Sequence, residues 1–286
     1  MRLVLRRFSV ATSFSTVGLL LVAVFLGACD GGTGDQPSKP AANELGSCGH
    51  LATTIGPATW VDPNDNLSAS CKGIPPDRTV CLSGMSVVAI DHFDETGDGK
   101  SSGNYYVEDT SSDPPPYAGM TIFRPSFSPP DLRLAEGDVV DFLGTYTEFS
   151  GPNSFKFSNC RTLPELSGAL TFRFDNNLPL TPKVIPIEDL KTYETGRPHI
   201  GTLVKLVNVQ LDPDGASSSS GRYTSGLEVG AIANVADVPQ VTNELFDMKT
   251  QGPPMPGGAT FKSITGVVTY FASFHISPRS AADFEL

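Results

Sequence analysis

The densest set of oxygen donors in the chain is Asp94-Glu-Thr-Gly-Asp-Gly-Lys100. Asp94, Thr96 and Asp98 stand at the first, third and fifth places of a loop, and Gly99 at the sixth, where a sharp turn is needed. That is the front of a hard-oxygen donor set for calcium. The twelfth place is Tyr105, where a bidentate acid belongs, and Glu108 and Asp109 lie just beyond it. The missing ligand favours the competing reading, a polar hairpin tip in which Asp and Gly serve the turn. Calcium at Asp94, Thr96 and Asp98 is the only cofactor the sequence suggests. His50, His92, His199 and His275 are isolated, with no His-Glu-x-x-His and no Gly-x-Ser-x-Gly around them. A catalytic histidine needs a nucleophile or metal partner within reach. Gly99-Lys100-Ser101 is no phosphate loop, because Asp94 stands where the first glycine belongs. No catalytic residue is therefore expected, and the chain reads as a non-enzyme.

Cys29, Cys48, Cys71, Cys81 and Cys160 are the five cysteines. Cys29 ends Leu26-Gly27-Ala28-Cys29, which closes an apolar run over 17–25; Arg2, Arg6 and Arg7 precede it, and no acid comes before Asp30. The run is too short to span a bilayer but fits the apolar region of a secretory signal. This stretch resembles the bacterial lipoprotein signal peptide. The resemblance implies cleavage before Cys29, a diacylglyceryl thioether on its sulfur and an acylated amino group. The expected address is the envelope, anchored in the bilayer through Cys29. The outer membrane is preferred, although Asp30 is an inner-membrane retention mark in some bacteria. The other four cysteines form an even set in an exported chain, which reads as two disulfides with three possible connectivities. Their spacings of 23, 10 and 79 residues contain no Cys-x-x-Cys pair and argue against a metal site.

The chain carries 20 basic and 31 acidic residues, a net charge of −11. Loss of 1–28 removes three arginines and no acid, taking the charge to −14. Such a surface repels phosphate backbones, so nucleic acid is not an expected partner; a protein or glycan is expected instead. With 28 glycines, 24 prolines and 18% charged residues, the composition suits a loop-rich β protein.

The elements follow from that composition. Residues 29–45 read as a flexible tether. Residues 46–78, with Cys48, Cys71 and Trp60, are too few for a core of their own and need a disulfide staple. Short β runs then recur at 80–90, 104–109, 119–124, 138–147 and 154–159, with a helical turn at 131–135. A second set begins at 201–211 and closes with 260–271 and 273–277. Pro186-Ile-Glu-Asp-Leu-Lys-Thr-Tyr193, proline followed by acids, predicts a short helix over 186–193 packed on a barrel. Gly144-x-x-Thr-x-Phe149 and Gly266-x-x-Thr-x-Phe271 match at an offset of 122, and Gly84 and Gly201, read as openers of each half, at 117. Both point to a duplication.

Gly103-Asn-Tyr-Tyr-Val-Glu-Asp109, Glu136-Gly-Asp-Val-Val140, and Pro278-Arg279 with Ala282-Asp283 carry a further resemblance. The succession is similar to the OB-like domains that accompany bacterial secreted nucleases and surface lipoproteins. It covers 79–160 well and 199–286 less well, since the second half lacks the Gly-Asp pair before its fourth strand and has an irregular middle over 231–256. The fold class implied is all-β: two five-stranded OB-like barrels in tandem, a short linking helix and a disulfide-stapled N-terminal segment. The boundaries are 1–28 for the signal, 29–45, 46–78, 79–165 for the first barrel, 166–198 for the linker and 199–286 for the second barrel. In an OB barrel the first and fifth strands meet at closure, which favours Cys81–Cys160 and leaves Cys48–Cys71. Tyr105, Tyr106, Phe123 and Phe142 lie on strands that carry ligands in many OB-folds, or else fill the barrel. The function expected is a non-catalytic binding or scaffold module of the envelope. The rival is an accessory component of a secreted nuclease or other hydrolase system.

Overall fold

Inward and outward positions alternate along the start of the first strand, and a glycine resets the alternation. The computed structural model describes residues 48–49, 77–95, 97, 99, 103–110, 113–123, 134–175, 178–219, 221–230 and 237–286. Its first sheet comprises β1 (Arg78–Ile90), β2 (Tyr105–Asp109), β3 (Gly119–Phe123), β4 (Val139–Phe149) and β5 (Leu163–Asp175). On β1, Val80 and Leu82 point into the core, and so do Met85 and Val87. The parity changes at a bulge between Leu82 and Met85, where Gly84 has φ 72°. The Gly84 N–H donates to Asp141 Oδ1 at 2.9 Å, which fixes the bulge against β4. A bulge inserts one residue, bends the strand and re-aims the side chains beyond it. Here it lets β1 pair with both β4 and β2, and the five strands close into a barrel in the order β1-β2-β3-β5-β4, with β3 and β5 parallel. Tyr105, Val107, Met120, Ile122, Phe142, Tyr146 and Leu166 fill it.

The fifth strand lies later in the chain than 154–159. That stretch is a turn ending in one 3-10 turn, Ser158–Cys160, and β5 runs on to Asp175, past the expected barrel end at 165. Asn159 and Cys160 have φ of 53° and 55°, a left-handed backbone that cannot continue a strand. Phe157 alternates as a strand residue would, but it is buried in the core of the second half, 5.3 Å from Tyr270. The disulfides also differ from expectation. Cys81 bonds Cys48, with Cα atoms 4.5 Å apart, and not Cys160. β2 pairs with β1 only from Met85 onward, so the edge near Cys81 is open on that side. Gly49 bridges Leu82 there, donating to the Cys81 carbonyl at 3.2 Å, and this brings Cys48 alongside Cys81. Cys160 is disulfide-bonded as well. Cys29, Cys71, the apolar run over 17–25 and the helical turn over 131–133 lie outside the described residues.

The second half contains β6 (Lys183–Val184), β7 (Leu203–Gln210), β8 (Ser217–Ser219), β9 (Arg222–Gly226), β10 (Gln240–Thr242), β11 (Thr260–Phe271), β12 (Ser273–Ser277) and β13 (Phe284–Glu285). They form one open sheet in the order β6-β7-β11-β12-β10-β9-β8, with β13 beside β11. A second closed five-stranded barrel is therefore not what the sequence forms. The ends of the path β7…β9 meet only at the bridge Leu211↔Leu227, because Asp212-Pro213 halts β7 just beyond it. The order β7-β11-β12-β10-β9 nonetheless repeats β1-β4-β5-β3-β2, and β10 and β12 are again the parallel pair. Val80 faces Gly144 and Val204 faces Gly266, an offset of 124 on the first strands. That places Gly84 opposite Asn208, whose φ is 53°, and not opposite Gly201. Gly84 is thus an internal bulge residue rather than a strand opener.

The two halves belong to one compact unit, Lys39–Leu286. Pro186 starts a 3-10 turn at Ile187–Lys191, followed by a helical turn at Tyr193–Gly196 that Thr192 caps. This linker is wedged between the halves. Tyr193 packs on Tyr270 and Phe274 of the second, while its hydroxyl donates to the Thr162 carbonyl of the first at 2.6 Å. Arg197 makes a buried ion pair with Glu148 of β4 at 2.5 Å. Val88, Ala89 and Tyr106 meet Leu203, Leu245 and Val267 in a separate interface core. Backbones touch where Gly119 of β3 meets Gly201, since a Cβ on either would lie 2.4 Å or less from main-chain atoms of the other segment.

Candidate functional site

The alternation that fills the barrel with Tyr105, Met120, Ile122 and Leu166 turns Tyr106, Thr121 and Glu165 outward toward the second half. These three are direct cross-strand neighbours: Tyr106↔Thr121 on β2–β3 and Thr121↔Glu165 on β3–β5. Facing them are Thr269↔His275 on β11–β12 and Thr224↔Thr242 on β9–β10. Between the two rows lies a cleft of about 280 Å³. Its apolar wall is Phe123, Phe149, Leu163, Tyr270 and Phe271, and its acidic groups are Asp91, Glu95, Glu165 and Glu244. The volume is at the small end for ligand pockets, which run from about 300 Å³ upward.

Most of the charge in the cleft is matched. Glu244 accepts from the Tyr106 hydroxyl at 2.6 Å, from Ser277 at 2.9 Å and from Thr269 at 3.1 Å. Glu95 pairs with Arg222 at 2.8 Å. Burial, with the charges of Glu244 and Asp91, still pushes the Glu95 carboxyl up against the pull of Arg222. Burial also holds the Tyr106 hydroxyl well above its ordinary range, so it stays a donor.

Three groups on the wall differ. Thr121 is 3% exposed and its Oγ1 has no hydrogen-bond partner among the described residues. Glu165, beside it, is 7% exposed; burial and then the charge of Asp77 push its carboxyl up to about 7. His275 is brought down to about 4 by burial, against Glu244 and with Arg222, so at neutral pH its ring is uncharged. No hydrogen bond ties Glu165 or His275 to another described side chain.

Of the aromatics expected on ligand-carrying strands, Tyr106 and Phe123 line the cleft, while Tyr105 and Phe142 fill the barrel 6.4 Å apart. Asp94 is not part of the cleft. Its two oxygens accept from the N–H groups of Gly97 at 2.8 Å and Gly99 at 2.6 Å, the work of a turn residue. Thr96 and Asp98 lie outside the described residues. Among the described residues no group of three or more His, Cys, Asp or Glu is arranged to hold a metal ion, and no helix is long and apolar enough to cross a membrane. Of the four histidines, His199 pairs with Asp189 in the linker at 3.3 Å. Thr121, Glu165, Thr224 and Glu244 were not singled out by the sequence. The one signal pointing to Thr121 and Glu165 is a polar residue at an outward position in a β run. Comparison with protein-family models, curated proteins and solved structures gives no match to this chain.

Proposed function

We propose that this chain is an exported lipoprotein of the cell envelope whose folded part binds a small ligand in the cleft without acting chemically on it. The observation that carries the reading is Thr121, buried on a cavity wall with its hydroxyl unpaired among the described residues, beside the buried side chain of Glu165. A buried polar group left unpaired costs roughly 1–3 kcal/mol, and native proteins keep few of them. A ligand in the cleft would supply the missing partners. The shared strand order with one parallel pair in each half supports assigning OB-like architecture to both, closed in the first and open in the second, and the cleft lies on the face of β2 and β3, where such barrels hold ligands. The lipobox at Cys29 supports the address. The rival reading, an accessory of a secreted nuclease, has less support: phosphates would meet Asp91, Glu95, Glu165 and Glu244 against one arginine.

The test uses the mature lipidated chain in detergent and fractions of an envelope extract. Thr224→Trp places an indole in the cleft from a half-buried position. At least one fraction should raise the melting temperature of the wild type and not of Thr224→Trp. Fractions that shift both equally, or neither, remove the cleft as the binding site.

A further inference from the structure

The cleft also constrains what it binds. Its carboxylates do not form a free anionic site, because Glu244 already accepts three O–H donors and Glu95 faces Arg222. A phosphate or carboxylate ligand meets four acids and one arginine. The groups still lacking partners have a common character: each can both donate and accept. The Thr121 hydroxyl does so by nature, and the neutral imidazole of His275 has one nitrogen of each kind. The Glu165 carboxyl, pushed up to about 7, is present near neutrality in both its donating and accepting forms. Groups of this kind match alcohol hydroxyls, which also donate and accept. Apolar and aromatic side chains share the lining with them: Phe271, at 39% exposure, with Phe149 and Tyr270. An aliphatic C–H face fits such a wall, and hydroxyls at its edge fit the polar row.

We infer that the ligand is a neutral saccharide of one or two pyranose rings, held edge-on by Thr121, Glu165 and His275 and face-on by the aromatic wall that includes Phe271. This inference rests on the cleft being the binding site. The small volume selects one or two rings rather than a long chain.

The mature chain in detergent is titrated calorimetrically with D-glucose, D-galactose, N-acetyl-D-glucosamine, cellobiose, lactose and chitobiose. Spermidine and glucose 6-phosphate are the charged comparisons. At least one neutral sugar should bind saturably, and its phosphorylated form should bind more weakly. Thr121→Val, which keeps the shape and removes the hydroxyl, should weaken it by about tenfold. Phe271→Ala should do the same from a partly exposed position, its unchanged fold checked by circular dichroism. Glu165→Gln keeps a donor and an acceptor and should leave binding within about threefold. Spermidine binding without sugar binding overturns the saccharide class and leaves the cleft reading intact. The same holds if no sugar binds while an envelope fraction still shifts the wild type and not Thr224→Trp. Sugar binding that neither Thr121→Val nor Phe271→Ala alters overturns the assigned site.

Discussion

Arg197 shows how one side chain can tie the linker to the first half. It lies in the linker, 3% exposed, and its guanidinium reaches Glu148 Oε1 at 2.5 Å, Thr162 Oγ1 at 3.1 Å and the Tyr193 hydroxyl at 2.7 Å. Glu148 accepts further from Tyr146 and Thr162. Breaking a buried, hydrogen-bonded pair from one side leaves the other charge desolvated, at a cost of about 3–5 kcal/mol. Arg197→Met should therefore lower the urea-unfolding free energy by on the order of 3 kcal/mol, and Arg197→Met with Glu148→Leu by much less. Equal losses in the single and double variants would mean that packing, not charge, dominates there. At this scale the sequence was partly legible. Asp94 and its glycines were readable as a turn because all the contacts lie within five residues. Thr121, Glu165, Thr224 and His275 were not, because they become neighbours only when strands from both halves pack face to face.

At the scale of elements, four of the first five strands are readable from alternation and turn residues to within a residue or two. The fifth was misplaced because Phe155-Lys-Phe157 alternates like a strand, yet it serves as a cover over Tyr270 and Phe271. The repeat was legible in its fourth strands, and misaligned in its first, since Gly84 marks a bulge and its counterpart is Asn208 rather than a glycine. That equivalence is testable. A β-branched residue in the left-handed region costs about 1–2 kcal/mol or more, whereas asparagine tolerates it. Gly84→Val should destabilise by at least about 1 kcal/mol and Gly84→Asn by a few tenths, while Asn208→Gly should be close to neutral in chemical denaturation. A harmless Gly84→Val would mean that the bulge is not where β1 turns. The disulfides belong to this scale too. Non-reducing peptide mapping should return Cys48–Cys81. With Cys29 acylated, it should also return Cys71–Cys160, since Cys160 is bonded and Cys71 is the remaining cysteine. A Cys81–Cys160 peptide would contradict the pairing at the barrel edge.

For the whole molecule, the cellular address and the stability profile are the two testable properties. Cys29→Ser removes the sulfur that would carry the lipid, so it should abolish incorporation of labelled fatty acid, leave an unprocessed precursor and forfeit the about 0.8 kcal/mol per buried CH₂ that acyl chains contribute to anchoring. Detergent partitioning indistinguishable from wild type would refute the lipid anchor. The proposed address rests on local sequence alone, the segment that ends at Cys29. The face-to-face packing of the halves was not legible, because it depends on Gly119 and Gly201 allowing backbone contact and on acids buried between strands far apart in the chain.

Those buried acids set the response to pH. Glu108 of β2 accepts from the Leu203 N–H of β7 at 3.0 Å across the interface between the halves, and burial pushes its carboxyl up to about 7, as it does for Glu165. A carboxyl whose folded value lies above its ordinary 4.5 favours folding most at low pH, and that contribution is lost as pH rises through about 7. His275, brought down from 6.5 to about 4, works in the opposite sense: its contribution is present above 6.5 and is lost as pH falls toward 4. Between pH 8 and 5.5 two carboxyls gain while one histidine loses. The protein should be more stable at pH 5.5 than at pH 8 by on the order of 2 kcal/mol, with a higher melting temperature. Glu108→Gln keeps an acceptor for Leu203 and removes one titration, so it should flatten the profile by raising stability at pH 8 more than at pH 5.5. Urea midpoints at the two pH values decide the matter. Equal or lower stability at pH 5.5, or a slope that Glu108→Gln leaves unchanged, would show that these carboxyls are not held neutral inside the fold.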